Sequence, residues 1–442
     1  MPNRFCGTSC RTVICVAFGL AACGSRTGLD MAVQTQSVGG NSTTGGSQGA
    51  AGQLTTPSCP LDFHDCDGNA DNGCESEVAV DPSNCGTCGH PCAEPLGCGA
   101  GSCRPLRQVA QVAVGVGFAC AVRVDGAAFC WGDNDHGQLG HGTMNESEGP
   151  ARIMGVSDVV EISAGTFEAC ARTRDAEVYC WGRGSSQAGR IPTTQRVVDL
   201  AAQQYYLMLA DSGRIYSAVR GAGSFRAVPE DVQLVDGIGP ARQISSYESA
   251  CAWEVAGGVT CWGSNEGHVI DGGSEGFEGQ TDYPPAAIDL PPLQRLSASL
   301  ANCATTVARE LYCWGDRVAS IKPVRMFDLT GVVEGLVQYK HACVLLQDRS
   351  VWCWGDNTYP NYPRPVINGM LGVDPKAVKA SATPVRVTGI DDAIQIGIGN
   401  HFTCVLRDSG VVSCWGGNFA GQLGDGTTEP SWQPIDVLLP ED

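Results

Sequence analysis

Six pairs of cysteines, each pair separated by nine residues and followed at once by Trp-Gly, recur along the C-terminal three quarters of the chain: Cys120/Cys130, Cys170/Cys180, Cys251/Cys261, Cys303/Cys313, Cys343/Cys353 and Cys404/Cys414. The spacing suits one local structure. In the last copy the centre is Ser409, so a three-residue loop Asp408-Ser409-Gly410 pairs Arg407 with Val411, Leu406 with Val412, Val405 with Ser413 and Cys404 with Cys414. A third loop residue at positive φ is what a type I turn with a G1 bulge requires, and Gly126, Gly213 and Gly257 hold the same place in other copies. Residues directly opposed on antiparallel strands have Cα atoms about 4.5 to 5.5 Å apart, within disulfide reach. Each hairpin is therefore expected to carry its own bridge, worth at most about 2 to 3 kcal/mol for so short a loop.

A seventh copy, YLMLADSGRIYS, has Leu207 and Ser217 at the two cysteine positions. Both cysteines are missing together, as partners would be. The seven starts, at residues 120, 170, 207, 251, 303, 343 and 404, lie 37 to 61 residues apart, a period that belongs to propeller blades. The expected fold is all-β, a seven-bladed β-propeller over residues 106–442.

The segments between hairpins sharpen this. CWGDNDHGQLGHGT (130–143) and CWGGNFAGQLGDGT (414–427) are near duplicates, each running into a proline and a short apolar strand. These motifs resemble the regulator of chromosome condensation repeat family, over about three quarters of the chain. The resemblance implies a seven-bladed propeller. It also implies a role in binding, since some relatives are secreted inhibitors of β-lactamases and others nuclear exchange factors for small GTPases. The third to sixth copies lack GQLGxGT, so their connections are not expected to follow the pattern. Gln433-Pro434-Ile435-Asp436-Val437-Leu438 reads as the strand preceding a hairpin. It is expected to complete the first blade and so tie the ring shut.

The N-terminus supplies an address. Arg4 and Arg11 form a basic region, Thr12 to Leu20 is apolar but too short to span a bilayer, and Leu20-Ala21-Ala22-Cys23 follows. This tetrad resembles a bacterial lipobox, which implies removal of residues 1–22 as a signal peptide and acylation of Cys23, anchoring the chain to a membrane. Gly24 and Ser25 come next, without aspartate. By that resemblance the destination is extracytoplasmic, at the outer membrane or cell surface. Residues 23–57, rich in Gly, Ser and Thr, read as a flexible tether with a reach of about 30 Å.

Residues 58–105 hold eight cysteines, too many for so small a segment to be anything but a disulfide framework or a metal module. Their pairing is not fixed by sequence. Cys85, Cys88, His90 and Cys92 have a zinc-like spacing. Asp65, Asp67, Asn69 and Asp71 alternate like a calcium loop, although Ala70 and Ser76 stand where that loop needs Gly and Glu. No cofactor is expected, with calcium in this module the one alternative kept; the even cysteine count and an oxidising compartment favour bridges over zinc. Of 24 cysteines, four lie at or before the acylation site, eight in this module and twelve in hairpins, leaving no free thiol nucleophile.

A net charge of -19 argues against nucleic acid as a partner. No Ser/His/Asp order, HExxH or phosphate loop stands out, so no enzyme is expected; a propeller hydrolase or lyase using channel carboxylates is the remaining catalytic alternative. The repeated tryptophans at 131, 181, 262, 314, 354 and 415 are read as packing between blades, and His341 and His401 as structural. Two insertions, 265–290 and 357–384, carry exposed-loop aromatics. Phe277, Tyr283, Tyr359 and Tyr362 are the candidate anchors for a protein or glycan partner, against the blander reading of loop filler. The expected function is a monomeric, surface-anchored binding scaffold, with a secreted-type enzyme inhibitor or a structural envelope component as alternatives.

Overall fold

The hairpin geometry sets the pattern for the whole ring. In the computed structural model, residues 59, 63–67, 74, 76–93, 96–99 and 101–105 are described, and then 108–440, with interruptions at 203–205, 220–230, 247–248, 264–282, 299–300, 316–317, 319 and 359–368. On the second and third strands of six blades, Cys120 stands opposite Cys130, Cys170 opposite Cys180, Cys251 opposite Cys261, Cys303 opposite Cys313, Cys343 opposite Cys353 and Cys404 opposite Cys414. All six pairs are joined as disulfides, with Cα separations of 4.0 to 4.1 Å. These separations correct the expected spacing for opposed residues: they fall below its lower bound, because the bond draws the two strands together at that rung. Leu207 faces Ser217 in the same register without a bridge. The third loop residue has positive φ in every copy. It is Gly126, Gly213, Gly257 and Gly410 in four of them, and Ala176, Arg309 and Arg349 in the other three.

Each hairpin is flanked by an inner and an outer strand, giving seven four-stranded antiparallel sheets in sequence order. The inner strands are Val109–Val114, Val159–Ala164, Val197–Ala202, Ala241–Ser246, Leu293–Ala298, Val332–Val337 and Ala393–Ile398. Neighbouring inner strands touch around the full circle, the seventh meeting the first. Second strands such as Phe118–Arg123 are buried throughout, whereas outer strands such as Ser147–Arg152 are largely solvated. The core is thus a series of apolar seams between blades. Trp181 of the second blade packs with Phe118, Cys120 and Leu139 of the first. Trp131 of the first packs with Phe402, Cys404 and Leu423 of the seventh.

The expected strand exchange does not occur. Ser431–Asp436 pairs with Val412–Gly416 of its own blade, and the first blade is complete with Ser147–Arg152. Closure instead uses a device present at most junctions. On five of the seven inner strands one polar side chain reaches the next blade, and its oxygen accepts a hydrogen bond from a backbone N–H there. Gln111 takes Ile162 at 2.7 Å, Glu161 takes Leu200 at 3.1 Å, Asp199 takes Ile244 at 3.1 Å and Gln243 takes Leu296 at 2.9 Å. At the seam between seventh and first blades, Gln395 takes Val112 at 3.0 Å. Arg295 has no acceptor to offer and instead donates to Glu334 of the sixth blade at 2.9 Å.

The module before the propeller holds two short hairpins, Phe63–His64 with Ser76–Glu77 and Leu96–Gly99 with Ser102–Pro105. Its cysteines pair as Cys59–Cys74, Cys66–Cys88, Cys85–Cys98 and Cys92–Cys103. The zinc reading is thereby overturned: Cys85, Cys88 and Cys92 spend their sulfurs on three different bridges, and His90 Nδ1 lies 2.9 Å from the Cys85 carbonyl. Among the calcium candidates, Asp65 and Asp67 follow the strand Phe63–His64, whereas Asn69 and Asp71 lie outside the described residues.

Candidate functional site

Two features of the ring can present chemistry to a partner: the axial channel and the loops on the rim. In the channel, Gln111, Glu161, Asp199, Gln243, Arg295, Glu334 and Gln395 form a polar collar. Above it lies a cavity of about 310 Å³ whose far wall is the module, through Glu77, Ala79 and Val80. The module therefore covers one mouth of the channel. Arg172, 4% exposed, is the link. Its terminal nitrogens both donate to Glu77 at 2.8 Å while its Nε donates to Glu161 at 2.8 Å. Arg174 donates to the Val80 carbonyl at 2.9 Å, and Arg104 of the module donates to the Asp408 carbonyl of the seventh blade at 2.8 Å. Phe63 is buried in the seam between third and fourth blades.

The electrostatics of this link follow from burial. Burial pushes the Glu161 carboxyl up against the opposing pull of Arg172. Burial, reinforced by the charge of Glu161, pushes Asp199 well above the ordinary carboxylate range. Burial also opposes the charge on Arg172, yet Glu161 and Glu77 together hold it above the ordinary arginine range. These carboxylates are engaged in holding blades and module together.

The hairpin cysteines belong to the frame and to neither feature. Cys130, Cys180, Cys261, Cys313, Cys353 and Cys414 on the third strands are buried, as are their partners on the second strands, in the seams between blades. With every one of these sulfurs bridged, none is a thiolate that could attack a substrate or bind a metal.

His341 and His401 sit at the other end of their blades. His341 is buried with Nε2 2.9 Å from Thr403 Oγ1, and burial, aided by His401, lowers its pKa to about 3. Burial and Lys340 lower His401. A histidine held neutral this strongly is a packing residue at neutral pH.

On the rim, a loop latch recurs. Asn134 donates to the Thr143 and Asn145 carbonyls at 2.9 and 2.7 Å and accepts from the Leu139 N–H at 3.0 Å. Asn418 repeats this with Thr427, Glu429 and Leu423. The loop then takes a hydrogen bond from the next blade's tryptophan: Trp181 Nε1 to the Gln138 carbonyl at 2.8 Å, and Trp131 Nε1 to Gln422 at 2.9 Å. A Cβ on Gly140 or Gly424 would come within 2.8 Å of that indole, so glycine is required there. The sixth blade has the same latch. Asn357 bonds Val373, Val378 and Leu371, and Trp415 Nε1 donates to Met370 at 3.1 Å. The expectation that this blade departs from the pattern is thus corrected. WGDN (354–357) and GMLG (369–372) are the two halves of the motif, separated by an insertion, and reading them as one would have found the latch.

Of the candidate partner anchors, Phe277, Tyr359 and Tyr362 lie outside the described residues. Tyr283 opens the outer strand of the fourth blade, opposite Gly263. Residues 1–58, which include Cys23 and the expected signal peptide, also lie outside them. Among the described residues no helix is long and apolar enough to cross a membrane. Missed by sequence reasoning were the collar and the Arg172–Glu77 link. The collar residues sit two positions before Ala113, Ser163, Ala201, Ser245, Ser297, Leu336 and Gly397 on the inner strands, and that period-2 signal was readable once the blades were aligned.

Comparison with known proteins gives matches to one family. The regulator of chromosome condensation (RCC1) repeat matches residues 125–171. A second profile of the same repeat matches 109–138, 159–187, 339–359 and 393–422. Among solved structures, yeast RCC1 (Prp20) bound by Kap60 is similar at 17% identity and a TM-score of 0.57, over 70% of this chain and 83% of that one. Prp20p from Saccharomyces cerevisiae, studied for its binding to Gsp1p and histones, is similar at 16% identity and a TM-score of 0.58, over 72% and 87%. At these identities the likeness is one of fold.

Proposed function

The chain belongs to the regulator of chromosome condensation repeat family, and on that premise we propose that it is a non-enzymatic binding scaffold displayed outside the cytoplasm. The observation that carries this reading is the build of the ring. Disulfides in six blades and a circumferential collar fix the frame, while the sequence varies most in the connections between third and outer strands, where binding loops of rigid scaffolds belong. Relatives of this fold have been studied as partners of proteins, namely Kap60, Gsp1p and histones. A nuclear exchange role does not carry over, because a chain so dense in disulfides belongs to an oxidising compartment.

Acylation at Cys23 would hold the protein at a bacterial membrane, with residues 24–57 spacing the propeller from the surface. The partner is a protein or glycan taken by the rim, with Phe277, Tyr283, Tyr359 and Tyr362 as anchors. The test is capture from the envelope and medium of the source bacterium with the purified protein. It is compared with a variant in which 264–282 and 359–368 are shortened. One saturable partner, lost on shortening, is expected; equal capture by both variants would remove these loops from the reading. Cys23→Ala should move the protein from the membrane to the soluble fraction.

A further inference from the structure

We propose that the inner chamber of the axial channel, beyond the collar, is a binding site for a compact neutral polyhydroxylated molecule of monosaccharide size. The chamber has a volume of about 250 Å³, and the collar separates it from the cavity under the module. With the module across one mouth, it is a blind-ended pocket reached from the opposite face. Pockets of this size hold a single small ring.

Its walls state the chemistry. Past the collar six inner strands contribute the small residues Ala113, Ser163, Ala201, Ser245, Ser297 and Gly397, and the sixth blade contributes Leu336, with Gln338 at the far end. None of these is charged. Ser163 Oγ is taken up by the Ala202 N–H at 2.8 Å. By contrast Ser245 Oγ, Ser297 Oγ and Gln338 Oε1 are buried without a hydrogen-bond partner. All three residues are only 6% exposed. A buried polar atom left unpaired costs about 1 to 3 kcal/mol, and three such atoms lining one chamber on the fourth, fifth and sixth blades form a built set. Two serine hydroxyls that donate or accept once turned towards the chamber, together with an amide oxygen that only accepts, match the vicinal hydroxyls of a sugar or polyol. A charged ligand is disfavoured. The collar's charges are committed, Glu161 to Arg172 and Arg295 to Glu334, so an ion in the chamber would be desolvated without a counter-charge.

The experiment is calorimetric titration of the mature lipidated chain, in a sugar-free detergent, with D-glucose and separately with D-glucuronate. Saturable glucose binding in the millimolar range is expected, with glucuronate at least tenfold weaker. The double substitution Ser245→Ala/Ser297→Ala should weaken glucose binding at least tenfold without lowering the melting temperature, since it removes two unpaired buried hydroxyls. Ser297→Val, which removes the hydroxyl and narrows the chamber, should abolish it. Absence of saturation, or undiminished affinity in both variants, would overturn the proposal and leave ordered water as the chamber's occupant. Neither result depends on the rim loops, so this test and the partner capture fail separately.

Discussion

At the scale of single residues, the hairpin turns give the clearest link from sequence to energy. All seven place their third loop residue at positive φ, but Ala176, Arg309 and Arg349 adopt it with a side chain attached. Left-handed backbone costs a non-glycine residue roughly 1 to 2 kcal/mol, offset in part by the entropy a glycine loses on folding. Gly257 has nothing within 4 Å of where a Cβ would stand, so Gly257→Ala isolates the backbone effect. It should destabilise by about 1 kcal/mol in denaturant unfolding under oxidising conditions. Arg309→Gly should change stability in the opposite direction, by up to about 1 kcal/mol. Arg349 is a poorer test because it also pairs with Asp408 at 2.6 Å. Equal signs for the two substitutions would show that side-chain contacts, and not φ, dominate these turns. The turn was legible in sequence because Gly recurs at a fixed offset from cysteine; the non-glycine copies were legible only by counting, since nothing in Arg309 itself announces its conformation.

At the scale of elements, the latch from tryptophan to the preceding blade's loop is seen, among the described residues, at three junctions: sixth to seventh, seventh to first, and first to second. One of them is the seam where the first and seventh blades of the ring meet. Trp131 is fully buried there, packed with Leu423 and Phe402. Trp131→Phe keeps most of the apolar contact but leaves the Gln422 carbonyl unpaired, and should cost about 1 to 3 kcal/mol. Hydrogen exchange should then rise selectively in Val109–Val114 and Ser431–Asp436, and a uniform rise across all blades would count against a local clasp. The sequence announces the latch where N-x-x-GQLG is continuous and hides it where an insertion intervenes after Asn357. Closure was misread for a related reason. A terminal strand that looks like the start of a repeat is also what an ordinary outer strand looks like, and the collar hydrogen bonds that make exchange unnecessary depend on long-range register.

At the scale of the whole molecule, module and ring meet in one cluster of four ionisable groups, Glu77, Arg172, Glu161 and Asp199. Arg172 is bonded to two carboxylates from different parts of the chain, so its burial is compensated only when the module is seated. Asp199 stands at the edge of this cluster, and burial together with Glu161 raises its pKa. The unfolded chain releases this proton near the ordinary aspartate value, whereas the folded chain keeps it to higher pH. The stabilisation is complete below the unfolded pKa and is lost as pH rises through the folded one. Asp199→Asn keeps an oxygen to accept the Ile244 N–H and has no proton to lose. Its melting temperature should therefore gain on the parent's as pH is raised from about 4 towards about 8, with the largest gain at the alkaline end. Glu77→Gln, which removes one of the two carboxylates bonded to Arg172, should lower stability at neutral pH and expose residues 76–105 to limited proteolysis. Parallel melting curves for Asp199→Asn and the parent would mean that Asp199 is ionised throughout, with Arg172 able to balance all three carboxylates. A widening gap would mean that Asp199 keeps in the folded ring a proton that the unfolded chain has released.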